Sequence, residues 1–282
     1  MNLLISLLVT AGGCSDATVW ADLLEAQEVI DTSRKAPGRK RPQIVSPFDT
    51  RIPKLHILPI HTTPENKEYC IITYASWDPP YPELVEQLLN RLPEVFCGHL
   101  LYRIGGWPGM ELGCLAHSQV PYAFKVCAFV EAYRLGYRKI LWLDALAMPL
   151  RPLLPLFEQI EKAGCIYRFA DKKLLRRLVT QELLDDFQLS RNKIRGQRQI
   201  ASGILGLNLA DPTIFALLND WHASVERKKS FYTLFPEEVS LSILLHQYNL
   251  ANIPSDNLVT FDPSDPEESF FLFDYSKKVY DN

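Results

Sequence analysis

The feature that most constrains this chain is an alternation of two kinds of segment. Short, continuously apolar runs of strand type are separated by amphipathic stretches of helical period. Tyr69-Cys70-Ile71-Ile72-Thr73-Tyr74-Ala75 is the first run, β-branched and apolar throughout as in a strand covered on both faces. It stops at Ser76-Trp77-Asp78-Pro79-Pro80. The spacing of Leu84, Val85, Leu88, Leu89 and Leu92 then predicts a helix over 82–92, with Pro82 setting its first turn. A second strand is expected over 99–104, ahead of the loop Gly105-Gly106-Trp107-Pro108-Gly109. A helix over 121–136 carries the stripe Val126, Val130 and Tyr133, and the strand over 139–144 ends in Asp144. Leu153, Leu156, Phe157 and Ile160 face inward from a helix over 151–163, Gly164 ends it, and another strand begins at Cys165. A strand over 201–208 and helices over 212–225 and 236–248 complete the series. The pattern predicts an α/β fold with a mostly parallel central sheet and helices on both faces.

The chain has 282 residues, 47% of them apolar, which is enough for a large core. Its 30 Lys and Arg against 33 Asp and Glu leave a net charge of −3, so nucleic acid is not an expected partner. The six cysteines show no Cys-x-x-Cys pair and no His/Cys cluster at zinc spacing, so no zinc site is expected. Three regions are distinguished. Residues 1–21 hold the apolar run Leu3-Leu4-Ile5-Ser6-Leu7-Leu8-Val9 before Thr10-Ala11-Gly12-Gly13-Cys14, which has the form of a signal or anchor segment. The expectation is export or membrane tethering through this segment; with no Lys or Arg beside Met1, an amphipathic segment packed on a cytoplasmic domain stays open. Residues 22–67 read as a basic, proline-containing linker, with Arg34, Lys35, Arg39, Lys40, Arg41, Arg51 and Lys54. Residues 68–282 form the expected catalytic domain.

In an open α/β sheet, ligands bind beyond the carboxyl ends of the strands. The residues leaving the strands are Ser76 and Asp78, Gly105 and Gly106, and Asp144. No Gly-x-Gly-x-x-Gly, P-loop or Gly-x-Ser-x-Gly pattern accompanies them, which disfavours dinucleotide oxidoreductases, P-loop enzymes and α/β-hydrolases.

Three segments together carry a resemblance: Val120-Pro121-Tyr122-Ala123-Phe124-Lys125, then Leu135-Gly136-Tyr137, then Ile140-Leu141-Trp142-Leu143-Asp144-Ala145. They resemble the nucleotide-sugar-binding half of GT-A fold glycosyltransferases. Ala201-Ser202-Gly203-Ile204-Leu205-Gly206-Leu207-Asn208 is similar to the small-Ser-Gly-apolar strand that lines the sugar pocket of that superfamily. The resemblance spans about residues 68–250. It implies a glycosyltransferase of hexosyltransferase type, moving a sugar from a nucleoside-diphosphate sugar to a hydroxyl of a glycan, lipid or protein. It also implies Asp144 at the donor diphosphate, usually within an Asp-x-Asp motif that holds Mn or Mg.

Here the motif reads Asp144-Ala145-Leu146, so the second carboxylate is missing. A lone carboxylate is a poor cage for a hard cation that takes several oxygen ligands. Asp144 then holds a metal weakly, completed by water or by Asp262 or Asp274, or hydrogen-bonds the donor with no metal. Lys125, near a helix start, is the expected cation for the leaving diphosphate, with Arg195 and Arg198 as alternatives. Tyr74, Ser76 and Asp78 are the expected base and ribose contacts, with Tyr81 able to do the same, and Ser202 and Gly203 line the donor site. Glu238, in the first turn after Pro236, is the expected catalytic partner of Asp144, as general base or beside the anomeric carbon. The alternative from another class is a sugar-nucleotide-binding or scaffold module that has lost catalysis, which Ala145-Leu146 favours.

Overall fold

The computed structural model describes residues 54–110, 115–250, 257–262 and 269–273. In chain order it runs β1 (His56–Ile60), β2 (Tyr69–Ala75), α1 (Tyr81–Val95), β3 (Gly98–Ile104), α2 (Ala123–Arg134) and β4 (Lys139–Leu143). Then follow β5 (Ala147–Pro149), α3 (Leu154–Ala163), β6 (Cys165–Leu174), α4 (Gln181–Asp186) and β7 (Arg198–Asn208). Helices α5 (Pro212–Arg227) and α6 (Pro236–Gln247) and strands β8 (Val259–Thr260) and β9 (Phe271–Phe273) complete it. Among the described residues the main sheet has six strands in the order β1-β3-β2-β4-β7-β6, and β5-β9-β8 form a small second sheet. No described helix is long and apolar enough to cross a membrane.

Strand β2 is parallel to both β3 and β4, as the alternation of strand and helix requires. Strand β7 enters antiparallel between β4 and β6, and β1 is antiparallel to β3. Thus β2, β3, β4 and β6 run one way and β1 and β7 the other. The fold is mixed α/β, and its reversed strand β7 is what later brings distant residues beside Asp144.

One boundary differs from the sequence reading. His56–Ile60, inside the segment read as linker, is an edge strand on β3, from His56 opposite Tyr102 to Ile60 opposite Gly98. Pro59 disguises it, because a proline donates nothing to a ladder and is tolerated at a sheet edge. Residues 1–53, including the apolar N-terminal run, lie outside the described residues.

The two-residue period of the strands builds a core on each face. Cys70, Ile72, Ile140, Trp142, Leu205 and Leu207 point to one face, where α2, α5 and α6 cover them with Val126, Phe129, Leu217, Trp221 and Ile243. Ile71, Leu141, Leu143 and Ile204 point to the other, against Leu88 and Leu92 of α1 and Leu156, Phe157 and Ile160 of α3. Helix α6 is buried almost all round, serines included. Its serines serve the neighbours: Trp221 Nε1 donates to Ser240 Oγ at 3.1 Å, and Ile200 N to Ser242 Oγ at 3.0 Å.

Close packing of α3 on the sheet depends on Gly206. A Cβ there would lie 2.4 Å from Ile160 Cδ1 and 2.5 Å from Ile166 Cγ1. Gly206→Val is expected to destabilise the fold by about 1–3 kcal/mol, the usual scale of overpacking. Urea unfolding followed by circular dichroism checks it, and an unchanged midpoint would show that α3 moves away without cost.

Candidate active site

The site begins with strand register. Leu143 pairs with Ile204, so the chain leaving β4 meets Gly203 and Ser202 of β7, and Asp144 N donates to Gly203 O at 2.8 Å. Trp142 and Asp144 share one face of the strand, the face that α2 covers, and Trp142 Nε1 donates to Asp144 Oδ1 at 2.7 Å. Gly203 has no room for a side chain, since a Cβ would lie 2.8 Å from Phe273 Cζ and 3.1 Å from Asp144 Oδ2.

Lys125, the third residue of α2, is only 3% exposed. Its Nζ donates to Ser202 Oγ at 2.8 Å and Ser202 O at 3.1 Å, and it lies 3.3 Å from Asp144 Oδ1 and 3.5 Å from Glu237 Oε1. Helix α6 brings Glu237 and Glu238 from its first turn, where the helix dipole favours carboxylates. Ser202 N donates to Glu238 Oε1 at 3.0 Å, and Gln199 donates its side-chain amide to Glu238 Oε2. Ser202 Oγ lies 3.1 Å from Glu237 Oε1 and 3.4 Å from Glu238 Oε1, facing both carboxylates. One ammonium therefore faces three carboxylates.

Burial pulls the Lys125 pKa down, but Asp144, Glu237 and Glu238 outweigh it and hold the group above the ordinary lysine value, so it stays charged. Burial, reinforced by Glu237, raises the pKa of Glu238 against the opposing pull of Ser202 N–H and Lys125. Asp144 keeps 39% of its side chain exposed, facing a cleft of about 710 Å³.

That cleft is acidic at the floor and aromatic at the rim. Asp144, Ser202, Gly203, Glu237 and Glu238 line its base, and Arg168 adds the one basic side chain of its described wall. Tyr122, Tyr232, Leu234, Phe235 and Phe261 border it and are all exposed, Tyr232 by 61% and Leu234 by 67%. Tyr122 and Phe235 are the N-cap residues of α2 and α6, both left-handed with φ of 59°. A bulky residue in that region is a strained exception, and here it turns an aromatic side chain toward the cleft at the start of each helix.

Five residues expected from the sequence meet here: Lys125, Asp144, Ser202, Gly203 and Glu238. Lys125 differs from its expected role, because it is buried under the floor and ion-paired, not open to a diphosphate. The apolar stripe read from Val126, Val130 and Tyr133 left it outside, whereas the buried face of α2 is Ala123, Lys125, Val126, Phe129 and Ala132. Tyr74, Ser76 and Asp78 do not border the cleft. Tyr74 donates its hydroxyl to Gly106 O at 3.3 Å and stacks on Phe124 at 4.5 Å, Ser76 is half-buried, and Asp78 is exposed in a turn. Tyr81 packs beside Leu84 and Val85. Arg195 and Arg198 are exposed and stand outside the cleft wall, the latter with its guanidinium 4.4 Å from the Phe169 ring centroid. Of the two carboxylates after Pro236, either of which the sequence allows in the catalytic role, it favours Glu238, and the structure brings Glu237 to the floor as well; the 232–235 rim carries no sequence signal.

No protein-family model matches the chain, and no curated protein matches its sequence. Among solved structures it is similar to the galactosyltransferase LgtC in complex with donor and acceptor sugar analogues, at 14% identity and a TM-score of 0.37, over 69% of this chain and 76% of that one. It is also similar to mouse xyloside xylosyltransferase 1 in its apo form, at 11% identity and a TM-score of 0.40, over 67% of this chain and 84% of that one. The functional reading rests on the cleft itself.

The residues around Asp144 do not fit a divalent ion of the Mn or Mg kind. Asp144 Oδ1 already accepts from Trp142 and adjoins the Lys125 ammonium, and Leu146 offers no oxygen. Asp262 is exposed and does not border the cleft, and Asp274 lies outside the described residues. The fixed cation among these oxygens is Lys125.

Removing that cation leaves Glu237 buried without its partner, a loss of about 3–5 kcal/mol for a buried pair. Lys125→Met is expected to lower stability by that order at pH 7, and Lys125→Met/Glu237→Gln to recover a large part of it. Urea titration of the two variants checks this, and equal stability of the two would show that Glu237 does not depend on Lys125.

Proposed function

We propose that the chain is a glycosyltransferase of GT-A type that binds a nucleoside-diphosphate sugar in this cleft and passes the sugar to a hydroxyl acceptor. The observation that carries the reading is the convergence of Asp144 and Glu238, with Glu237, around one buried ammonium at the base of a cleft of about 710 Å³. Glycosyl transfer develops positive charge at the anomeric carbon, and a floor with three carboxylates to one ammonium stabilises it. The acceptor oxygen attacks that carbon, its proton passes to Glu238, and the bond to the diphosphate breaks with the electron pair leaving on the diphosphate. Asp144 orients the donor sugar by hydrogen bonds, and Arg168 is the wall residue whose charge offsets the departing diphosphate. The aromatic rim supports an acceptor with an apolar part, since Tyr122, Tyr232, Leu234 and Phe235 offer rings and an aliphatic side chain to the same entrance.

One observation favours the second reading, a binding module that has lost transfer: Lys125 is committed to Asp144 and Glu237. A panel of UDP- and GDP-sugars with free sugars, alkyl glycosides and aryl glycosides separates the two. The first reading expects release of nucleoside diphosphate, faster with the glycosides, and a loss of about 10²–10⁴-fold in Glu238→Gln and Asp144→Asn. A general base works only when deprotonated, and the Glu238 pKa is raised. The acidic limb of kcat/KM is therefore expected above the ordinary glutamate range and absent in Glu238→Gln. Nucleotide binding with no turnover supports the module, and neither binding nor turnover overturns both.

Because Lys125 occupies the cation's place, added Mn²⁺ or Mg²⁺ is expected to change nucleotide affinity by less than about tenfold, or about 1.4 kcal/mol. Calorimetry of UDP and GDP with and without the ion checks it, and a larger gain would place a metal at Asp144.

A further inference from the structure

A second cluster of ligating side chains lies away from the cleft, on the face where α5 packs against α2. Helix α5 carries His222 and Glu226 four residues apart, hence on the same side of the helix, with His222 Nδ1 3.7 Å from Glu226 Oε1. His117, from the turn ahead of α2, sets its ring edge-on to His222 with centroids 5.5 Å apart. One ligand atom from each of the three lies within 4.8 Å of the others. The Nδ1 of His117 is buried and has no hydrogen-bond partner among the described residues. A buried imidazole nitrogen without a partner is costly unless something fills the place.

We infer that His117, His222 and Glu226 form a binding site for a zinc-class divalent ion that fastens the turn ahead of α2 to α5. Two imidazoles and one carboxylate are a borderline donor set that suits zinc and its neighbours and not magnesium or calcium, which take oxygen. Three protein ligands with water in the fourth position satisfy a tetrahedral ion. Ligand bonds of about 2.1 Å place tetrahedral ligand atoms about 3.4 Å apart, so the cluster contracts slightly on loading. Glu226, 59% exposed, supplies that movement.

None of the three residues borders the cleft, so the ion acts on it only through the fold. Its effect reaches the cleft along the chain. Val120 N donates to His117 O at 2.9 Å, and the next residues, Pro121 and Tyr122, form part of the cleft border. Fixing His117 therefore fixes the turn that presents the Tyr122 ring. Sequence spacing does not reveal the site, because His117 and His222 meet only after α2, β4 and β7 have been laid between them.

The test uses the full chain, stripped with chelator and titrated with Zn²⁺ alone. One equivalent is expected to bind, with a rise in thermal midpoint, and Co²⁺ is expected to give visible absorption of a tetrahedral site while Mg²⁺ does not compete. His222→Ala and the exposed-site variant Glu226→Gln, each folded by circular dichroism, are expected to weaken Zn²⁺ binding, His222→Ala by about hundredfold or more. Absence of binding to the wild-type chain, or binding that both variants retain unchanged, overturns the site.

Discussion

The ammonium of Lys125 is the point on which the cleft depends. It belongs to α2, and its oxygen partners come from the end of β4, from Ser202 within β7 and from the first turn of α6, so one side chain fixes four elements relative to one another. Burying a lone charge costs far more than a domain can spare, and burying it among carboxylates and a serine offsets that cost. The arrangement works in both directions. Glu237, itself almost wholly buried, has the ammonium 3.5 Å from its Oε1, and the ammonium stays charged because three acids surround it. What the pairing leaves over is negative charge facing open space at Asp144 and Glu238, which is the chemically useful residue of the whole construction.

The parts of the fold that were legible in the sequence are those whose burial is uniform. Strands β2 and β4 are buried on both faces and read as nearly unbroken apolar runs, and α3 and α5 carry clean stripes. Strand β1 is hidden by Pro59 and by basic neighbours; helix α6 is legible as a helix, but its burial is masked by serines that read as polar yet sit in the core, bonded to Trp221 and to β7. In the site, Asp144 was legible because a carboxylate at the end of an apolar strand has few other reasons to be there. Glu238 was legible as part of an acidic first turn, but its partner Glu237 was not separable from it. The position of Lys125 is legible but its surroundings are not, because a three-residue stripe on a helix flanked by other helices underestimates how much of its surface is covered. In the His117 cluster the i,i+4 pair His222 and Glu226 is local, and only tertiary packing brings His117 to it.

The cleft also shows how an antiparallel insertion changes a parallel sheet. Because β7 runs against β4, its early residues, and not its late ones, lie beside the carboxyl end of β4. Ser202 and Gly203 thereby reach the same end of the sheet as Asp144, and α6, bonded to β7 through Ser242, arrives with its N-terminus there too. Both helices that open on the cleft begin with an aromatic residue in a strained backbone region, Tyr122 and Phe235. The rim and the floor are thus produced by the same two helix starts, which places recognition of an apolar group and the carboxylates within one turn of each other.

Strand β1 has a consequence for handling the protein. It occupies the outer side of β3, pairing residue for residue from His56 to Ile60, and its own proline weakens the rim it then presents. A recombinant chain begun at Glu68, where the unbroken apolar runs start, would strip that cover. The backbone donors and acceptors of Gly98–Tyr102 would be left bare along a strand carrying Leu100, Leu101 and Ile104, a template for pairing with the same strand of another copy. The proline-bearing segment ahead of the domain is in this sense a guard against aggregation, and its loss would first be seen in solubility.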